Sequence, residues 1–322
     1  MKKLVEIRNL VKEFHVSSSG WRKNSGVVHA VSDVSFDIYE GETLALVGES
    51  GCGKSTLGRL ILNLIEPTSG TVAFDGKVMQ ELKPEELRLL RRQMQLIFQD
   101  PYASLNPRWT VRDIVAEPLE TYKVFPASVE TTRRVEELLK KCGIRPEFIN
   151  RYPHQFSGGQ RQRVGIARAL ALNPRLIVCD EPVSALDVSI QAQVLNLLSD
   201  LQQEMGLTYL FISHDLSVVR YLSDRVCVMF LGKICEIGNT KDIYDNPMHP
   251  YTRFLLEAVP KLDPTQRKED KDMLTGEIPS PVNPPSGCRF HTRCPYATEK
   301  CSNEIPIMRE IKTNHLIACH NV

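Results

Sequence analysis

The sequence has no long hydrophobic run. No stretch of its 322 residues approaches the roughly 18 uninterrupted apolar residues that a membrane-spanning helix needs, so we expect the chain not to cross a membrane. The N-terminal segment M-K-K-L-V-E-I-R-N-L lacks the apolar core and the cleavage site of a secretory signal peptide, and we expect an alternating strand there. Without an export signal we expect a reducing compartment, where the nine cysteines would form no disulfide framework.

An excess of charge of either sign is also missing. The chain carries 40 Lys and Arg against 39 Asp and Glu, which gives a net charge of +1. This balance provides no bulk attraction to nucleic acid or acidic lipid, and we expect no nucleic-acid partner. The hydrophobic fraction of 42% is ordinary for a globular protein, and the length suits one large domain with an appendage or two domains.

A glycine-rich string lies between a strand-like and a helix-like segment. The apolar run E-T-L-A-L-V is followed at 48–56 by G-E-S-G-C-G-K-S-T, which is the setting that a phosphate-binding loop requires. In such a loop the backbone N–H groups bind phosphate, the lysine adds charge and the hydroxyl after it ligates Mg²⁺. The predicted triphosphate-binding residues are Gly48, Glu49, Ser50, Gly51, Cys52, Gly53, Lys54, Ser55 and Thr56, with Ser55 also on Mg²⁺.

Two acidic residues end a second apolar run. L-I-V-C-D-E at 176–181 reads as a buried strand whose final carboxylates need a cation or hydrogen bonds to offset burial. We predict that Asp180 binds Mg²⁺ through water and that Glu181 polarises the water that attacks the phosphate.

A third string, F-S-G-G-Q at 156–160, precedes a long helical stretch. Ser157 and Gln160 fit a capping box, which is a purely structural explanation. A capped helix N-terminus beside two glycines is also an anion site, and both interpretations can hold together.

As a set, the three strings resemble the ATPase subunits of ATP-binding-cassette (ABC) transporters. The resemblance implies an α/β fold: a P-loop NTPase core with a parallel central sheet, an antiparallel β subdomain, an α-helical subdomain at about 101–160 and a small Cys-rich C-terminal extension. It implies a head-to-tail dimer in which one chain completes the ATP site of the other. The residues expected to act in trans are Ser157, Gly158, Gly159, Gln160 and Asp187.

Further positions follow the order of that family. Gln99 fits the Q-loop, with a catalytic role and a role at Mg²⁺, and His214 fits the histidine that contacts the γ-phosphate. Phe14 lies where the family stacks an aromatic ring on adenine, although Trp21 is an alternative within a stretch, residues 15–29, that resembles an insertion. The run R-V-C-V-M-F-L-G-K-I-C-E-I-G predicts a hairpin that turns at Gly232.

The C-terminal part narrows the resemblance. H-P-Y-T-R-F-L-L, P-S-P-V-N-P-P and the final cysteines resemble the dipeptide and oligopeptide importer ATPases of bacteria, and Y-P-H-Q-F-S-G-G-Q resembles the second of their two paralogous subunits. Phe156 departs from the Leu that is common there, but both side chains are apolar. We expect a nucleotide-binding domain at 1–255 and, at 256–322, a linker followed by the Cys-rich extension.

This resemblance implies an ATP-hydrolysing motor on the cytoplasmic face of the cell membrane, where it is peripheral. The implied partners are the paralogous ATPase subunit in a heterodimer, two transmembrane permease subunits and an extracytoplasmic solute-binding protein. Related nickel and oligosaccharide importers share the C-terminal features, so the solute stays open. A soluble ABC ATPase in iron–sulfur assembly or redox sensing is a further alternative.

The last cysteines, Cys288, Cys294, Cys301 and Cys319, are spaced C-x5-C-x6-C-x17-C. In the resembled family they ligate a [4Fe-4S] cluster. The spacing lacks the C-x2-C pair typical of structural zinc, and Cys-Pro at 294–295 resembles ferredoxin-type ligation. Zinc and free thiols remain alternatives, and the possible substitute ligands are His291, His315 and His320.

Overall fold

The computed structural model describes residues 2–16, 26–258 and 277–322. It has two compact units, one formed by residues within 1–81 and 213–322 and the other by residues 82–212. Trp21 and most of the predicted linker lie outside the described residues. The domains expected at 1–255 and 256–322 stay a prediction.

The described chain contains twelve strands and ten α-helices. The strands are β1 (Lys3–Val16), β2 (Gly26–Tyr39), β3 (Thr43–Val47), β4 (Ser69–Phe74), β5 (Lys77–Val78), β6 (Met94–Ile97), β7 (Leu176–Asp180), β8 (Thr208–Ser213), β9 (Arg225–Phe230), β10 (Lys233–Asn239), β11 (Arg309–Lys312) and β12 (His315–Ile317). The helices are α1 (Lys54–Ile61), α2 (Pro84–Leu90), α3 (Val111–Thr121), α4 (Ser128–Lys141), α5 (Gly158–Leu170), α6 (Val188–Met205), α7 (Leu216–Leu222), α8 (Thr240–Asp245), α9 (Pro250–Glu257) and α10 (Glu299–Asn303). Within the described ranges, none of these helices combines the length and apolar character needed to cross a bilayer.

An antiparallel sheet in the first unit has the strand order β2-β1-β4-β5. The expected N-terminal strand is confirmed as β1, whose residue Ile7 pairs with Phe36 on one side and Val72 on the other. Ile7 and Val72 are fully buried. The alternation of apolar and polar residues therefore gives this sheet one face in the core.

The second sheet of the first unit has the order β11-β12-β10-β9-β3. β3 is buried along its whole length and pairs in parallel with β9, from Leu44 opposite Arg225 to Val47 opposite Val228. The predicted hairpin is confirmed: β9 and β10 join through Leu231 and Gly232, both with positive φ. The C-terminal strand β12 extends the sheet by pairing with β10.

The second unit contains a parallel sheet in the order β8-β7-β6, with Cys179 of β7 flanked by Ile97 and Phe211. Helices α3, α4 and α5 pack against one another. The expected helical segment at about 101–160 contains α3 and α4. All five residues of β7 are buried, as the run L-I-V-C-D predicts.

Candidate active site

The glycine-rich string forms the connection between β3 and α1, and two of its glycines are fixed by close contacts. A Cβ on Gly48 would lie 2.1 Å from the carbonyl oxygen of Met229, and a Cβ on Gly53 would lie 2.1 Å from that of Ala30. Gly53 also has φ of 106°, which favours glycine. Any side chain at either position would displace the loop, so these residue types follow from the packing.

Lys54 is held inside this loop. Its ammonium group donates to the carbonyl oxygens of Gly48 at 2.7 Å and Glu49 at 3.0 Å, and the residue is 5% exposed. Lys54 is also the first residue of α1, whose N-cap Gly53 offers no side-chain acceptor to the first N–H groups. A buried cation beside an uncapped helix N-terminus can bind a polyphosphate.

Two other predicted nucleotide contacts lie in the first unit. Phe14 on β1 is 39% exposed, and the Lys12 ammonium lies 5.0 Å from its ring centroid. His214 follows β8 directly and is exposed, while the next residue, Asp215, caps α7. The assignment of Phe14 rather than Trp21 as the ring that stacks on adenine stays a prediction, because Trp21 lies outside the described residues.

The predicted acidic pair lies in the second unit at the end of β7. Asp180 is 6% exposed. Glu181 has φ of 46°, a conformation that costs free energy in a non-glycine residue and is concentrated at functional sites. The side-chain amide of Gln99 donates to Glu181 Oε2 at 2.9 Å. Two residues that the sequence assigns to hydrolysis are thus in direct contact.

The F-S-G-G-Q string begins α5, and the predicted capping box is confirmed. The Gln160 N–H donates to Ser157 Oγ at 3.3 Å, and the Ser157 N–H donates to Gln160 Oε1 at 3.0 Å. Gly159 is packed so closely that a Cβ would lie 2.3 Å from Ile190 Cγ2. The string is therefore fixed against the start of α6.

Asp187 is the N-cap of α6 and accepts hydrogen bonds from Ser189 Oγ at 2.8 Å and the Ile190 N–H at 3.0 Å. These bonds, the Ser189 hydroxyl first, lower the pKa of Asp187 below its usual value. The residues predicted to act in trans thus occupy two neighbouring helix N-termini, where the dipoles favour an anion.

Comparisons with known proteins agree with this geometry. Residues 31–184 match the family described as ABC transporter, and residues 235–301 match the oligopeptide/dipeptide transporter C-terminal region. The chain is 54% identical over 319 residues to the oligopeptide transport ATP-binding protein AppF of Bacillus subtilis, covering 98% of this chain and 97% of that protein. This chain belongs to the ABC transporter ATPases of the oligopeptide and dipeptide importer family.

Other relatives support the same assignment. The oligopeptide transport ATP-binding protein OppF of Escherichia coli is 52% identical over 325 residues, covering 100% of this chain and 97% of that protein. Among solved structures, the dimeric ATP-binding cassette MJ0796 in a post-hydrolysis state with ADP and Pi has a TM-score of 0.65 at 33% identity. The matched region covers 74% of this chain and 99% of the MJ0796 chain. The predicted P-loop α/β fold class and ATPase activity are confirmed.

Sequence reasoning missed two residues that bind the phosphate loop of this ABC ATPase. Arg293 forms two hydrogen bonds with the Glu49 carboxylate, at 2.8 and 3.1 Å, and the Glu49 N–H donates to the Tyr251 hydroxyl at 2.9 Å. Tyr251 belongs to the H-P-Y string, which the sequence analysis used only as a family feature. Arg293 directly precedes Cys294, and no local pattern indicated its contact.

The four cysteines near the C-terminus, here called the tail cysteines, lie close enough to affect a thiol pKa. They are Cys288, Cys294, Cys301 and Cys319. None of them forms a disulfide. Burial raises the pKa of the Cys288 thiol to about 11, and the other three tail cysteines add to the increase. The Thr298 hydroxyl lies 3.3 Å from Cys301 Sγ. In the described part of the chain, no group of three or more His, Cys, Asp and Glu side chains is placed to hold a metal ion.

The histidines considered as substitute ligands have other partners. His291 Nδ1 lies 2.8 Å from the Cys288 carbonyl oxygen, and His320 Nε2 lies 2.9 Å from the Glu304 carbonyl oxygen. His315 Nε2 lies 2.7 Å from Glu236 Oε1, and both residues are almost completely buried. Each ring is thus oriented by a hydrogen bond through one of its two nitrogens.

Proposed function

We propose that this chain is the ATP-hydrolysing motor of a bacterial importer for dipeptides and oligopeptides. The observation that carries the proposal is the similarity of 98% of the chain, including the C-terminal region, to oligopeptide transport ATP-binding proteins. The motor would bind two transmembrane permease subunits on the cytoplasmic face of the membrane. A solute-binding protein would deliver peptide to the permeases from the other side.

The phosphate loop binds ATP in this proposal. Several N–H groups of the loop and of the α1 N-terminus surround the β-phosphate, and Lys54 moves from its carbonyl partners to the β- and γ-phosphates. Phe14 stacks on adenine. Ser55, Gln99 and Asp180 would hold Mg²⁺, which neutralises phosphate charge when it is bound.

Hydrolysis is assigned to Glu181, Gln99 and His214. Glu181 accepts a proton from the attacking water, and the amide of Gln99 fixes one carboxylate oxygen so that the other can face the water. His214 contacts the γ-phosphate. The hydrogen bond with Gln99 holds the Glu181 carboxylate in a defined orientation.

A dimer completes the site. The ATP bound by the paralogous ATPase subunit would face two helix N-termini of this chain, which carry Ser157, Gly158, Gly159, Gln160 and Asp187. ATP binds the closed dimer more tightly than the open one, and this difference in affinity supplies the free energy for closure. Hydrolysis removes the difference and allows the dimer to open.

The tail cysteines are proposed to hold a [4Fe-4S] cluster, which would cross-link the last 35 residues of the chain. The support is chemical: thiols are the usual ligands of iron–sulfur clusters, three of the tail cysteines raise the pKa of the fourth, Cys288, and a hydroxyl lies beside Cys301. A hydroxyl that hydrogen-bonds to a ligating sulfur helps to orient it. Burial raises the pKa of the Cys288 thiol, so this thiol would release its proton when the site is loaded.

Solute uptake by intact cells tests the proposal. A strain that lacks this chain is complemented with the wild type, with Lys54→Ala or with an empty vector, and labelled tripeptide, nickel and oligosaccharide are compared as solutes. We expect only the wild type to restore uptake, and only of peptide. Restored uptake of nickel or oligosaccharide instead would show that the peptide assignment is wrong.

A further inference from the structure

The C-terminal part of the chain binds the phosphate loop at Glu49. Both Glu49 carboxylate oxygens accept from Arg293, and the Glu49 N–H donates to Tyr251. The side chains are largely enclosed, with relative exposures of 7% for Arg293 and 22% for Glu49. Partial burial makes such a charge-assisted, bidentate pair stronger and more directional than a pair in water.

A buried aromatic group holds Arg293 in place. Phe290 lies three residues before it and is 2% exposed. The Phe290 ring packs edge-on against Phe230 at 5.3 Å and beside Tyr251 at 5.3 Å. The Arg293 guanidinium carbon lies 5.9 Å from the Phe230 ring centroid. The cation is therefore pre-positioned, and it loses little side-chain freedom when it pairs with Glu49.

One buried carboxylate supports the Tyr251 contact on Glu49. Glu236 on β10 accepts from the N–H groups of Met248 at 2.9 Å and His249 at 3.0 Å, just before the helix that carries Tyr251. The same carboxylate binds His315 of β12. Removing the Arg293 contact therefore leaves the support of Tyr251 in place.

The Glu49 carboxylate would oppose a triphosphate if it were not neutralised. It belongs to the loop that binds phosphate, and like charges in a partly buried site repel strongly. Arg293 offsets this charge, while Tyr251 takes the Glu49 N–H and fixes the loop backbone. Neither residue needs to touch the nucleotide to affect its affinity.

We propose that Arg293 is a positioning residue of the ATP site, through which the cysteine-bearing C-terminal segment sets the nucleotide affinity of the phosphate loop. The inference rests on the proposed role of residues 48–56 in ATP binding. It adds Arg293, which lies 244 positions after Glu49 in the sequence, to the residues that determine ATP affinity.

ATP binding to the purified full-length chain tests this inference. We expect Arg293→Ala to weaken ATP binding about tenfold, which is the affinity equivalent of one charge-assisted hydrogen bond. In the assembled transporter the same variant should raise KM for ATP and change kcat by less than about twofold, because the lost interaction is equal in the ground and transition states. The ATP affinity of Arg293→Lys should fall between those of the wild type and Arg293→Ala, because lysine keeps the charge but lacks the planar guanidinium that binds both carboxylate oxygens.

A double variant separates charge compensation from support of the fold. Glu49→Gln removes the carboxylate that Arg293 neutralises, so Glu49→Gln with Arg293→Ala should regain most of the lost affinity. The matched control is Arg309→Ala, which removes a C-terminal arginine that donates to the Cys319 carbonyl oxygen at 2.9 Å. We expect this control to bind ATP as the wild type does.

Three results would overturn the inference: unchanged ATP affinity in Arg293→Ala, equal weakening in Arg309→Ala, or no recovery in the double variant. If Arg293→Ala does not fold, the ATP affinities of Arg293→Lys and Tyr251→Phe test the inference instead. Tyr251→Phe keeps the ring and removes only the acceptor of the Glu49 N–H. Wild-type affinity in both would overturn the inference. Failure of the wild type itself to bind ATP would instead count against the proposed ATP site.

Discussion

Replacing Glu181 with Gln tests the assignment of the catalytic carboxylate. In the wild type the Gln99 amide donates to Glu181 Oε2 at 2.9 Å. The substitution keeps the size of the side chain and leaves an oxygen that can still accept this hydrogen bond. The charge that would take a proton from water is lost. The structure therefore predicts that the variant retains its local geometry and loses only the chemical step.

The expected loss can be ranked against a second variant. A positioned general base contributes about a hundredfold to ten-thousandfold, or about 3 to 5 kcal/mol in the barrier. Gln99→Ala removes one hydrogen bond to a charged group, worth about 1.5 to 3 kcal/mol, so it should slow hydrolysis by about tenfold to a hundredfold. The order of rates should be wild type, then Gln99→Ala, then Glu181→Gln.

The assay combines single-turnover hydrolysis with light scattering in the presence of the paralogous subunit. Glu181→Gln should bind ATP normally and accumulate as a closed dimer, because the step that reopens the dimer is blocked. Glu85→Gln on α2 is the control, since the Glu85 carboxylate is 83% exposed and lies 3.9 Å from the Arg88 guanidinium. Hydrolysis by Glu181→Gln at the wild-type rate would refute the reasoning.

Three further predictions concern other parts of the molecule. Lys54→Ala removes the buried ammonium of the phosphate loop and should reduce ATPase activity by at least about a thousandfold, on the order of 4 kcal/mol; near-normal turnover of the variant complex would contradict the loop assignment. The chain purified alone should hydrolyse ATP slowly and gain activity with its paralogue and the permeases, whereas a fully active monomer would exclude a shared site. Protein purified without oxygen should be brown with about four irons and four sulfides per chain, and Cys301→Ser should bleach it; a colourless preparation with one zinc per chain would exclude the cluster.

Local patterns predicted most of the elements that build the site. The glycine-rich string, the buried run at 176–180 and the capping box at Ser157 each depend on neighbours within a few residues, so a sequence shows them directly. The hairpin at Gly232 was predictable for the same reason. Contacts between distant residues were not: Tyr251 and Arg293 meet Glu49 across 202 and 244 positions, and no periodicity or composition indicates such a pairing.

Backbone strain also escaped sequence reasoning. Glu181 adopts a positive φ that its residue type disfavours, and only the packing around the end of β7 determines this. The contact between Gln99 and Glu181 is similar, because each residue was assigned from its own string and their hydrogen bond depends on the neighbouring positions of β6 and β7. Residue identity therefore predicted the chemistry, while the fold determined the geometry.

Coupled uptake and hydrolysis in proteoliposomes tests the central claim most directly. The vesicles contain this chain, its paralogue, the permeases and the solute-binding protein, with ATP on the side of the ATPase subunits. We predict that labelled peptide accumulates against its gradient while ATP is hydrolysed, and that both processes stop with Lys54→Ala. Hydrolysis by the wild type without peptide accumulation, or peptide accumulation undiminished by Lys54→Ala, would contradict the account.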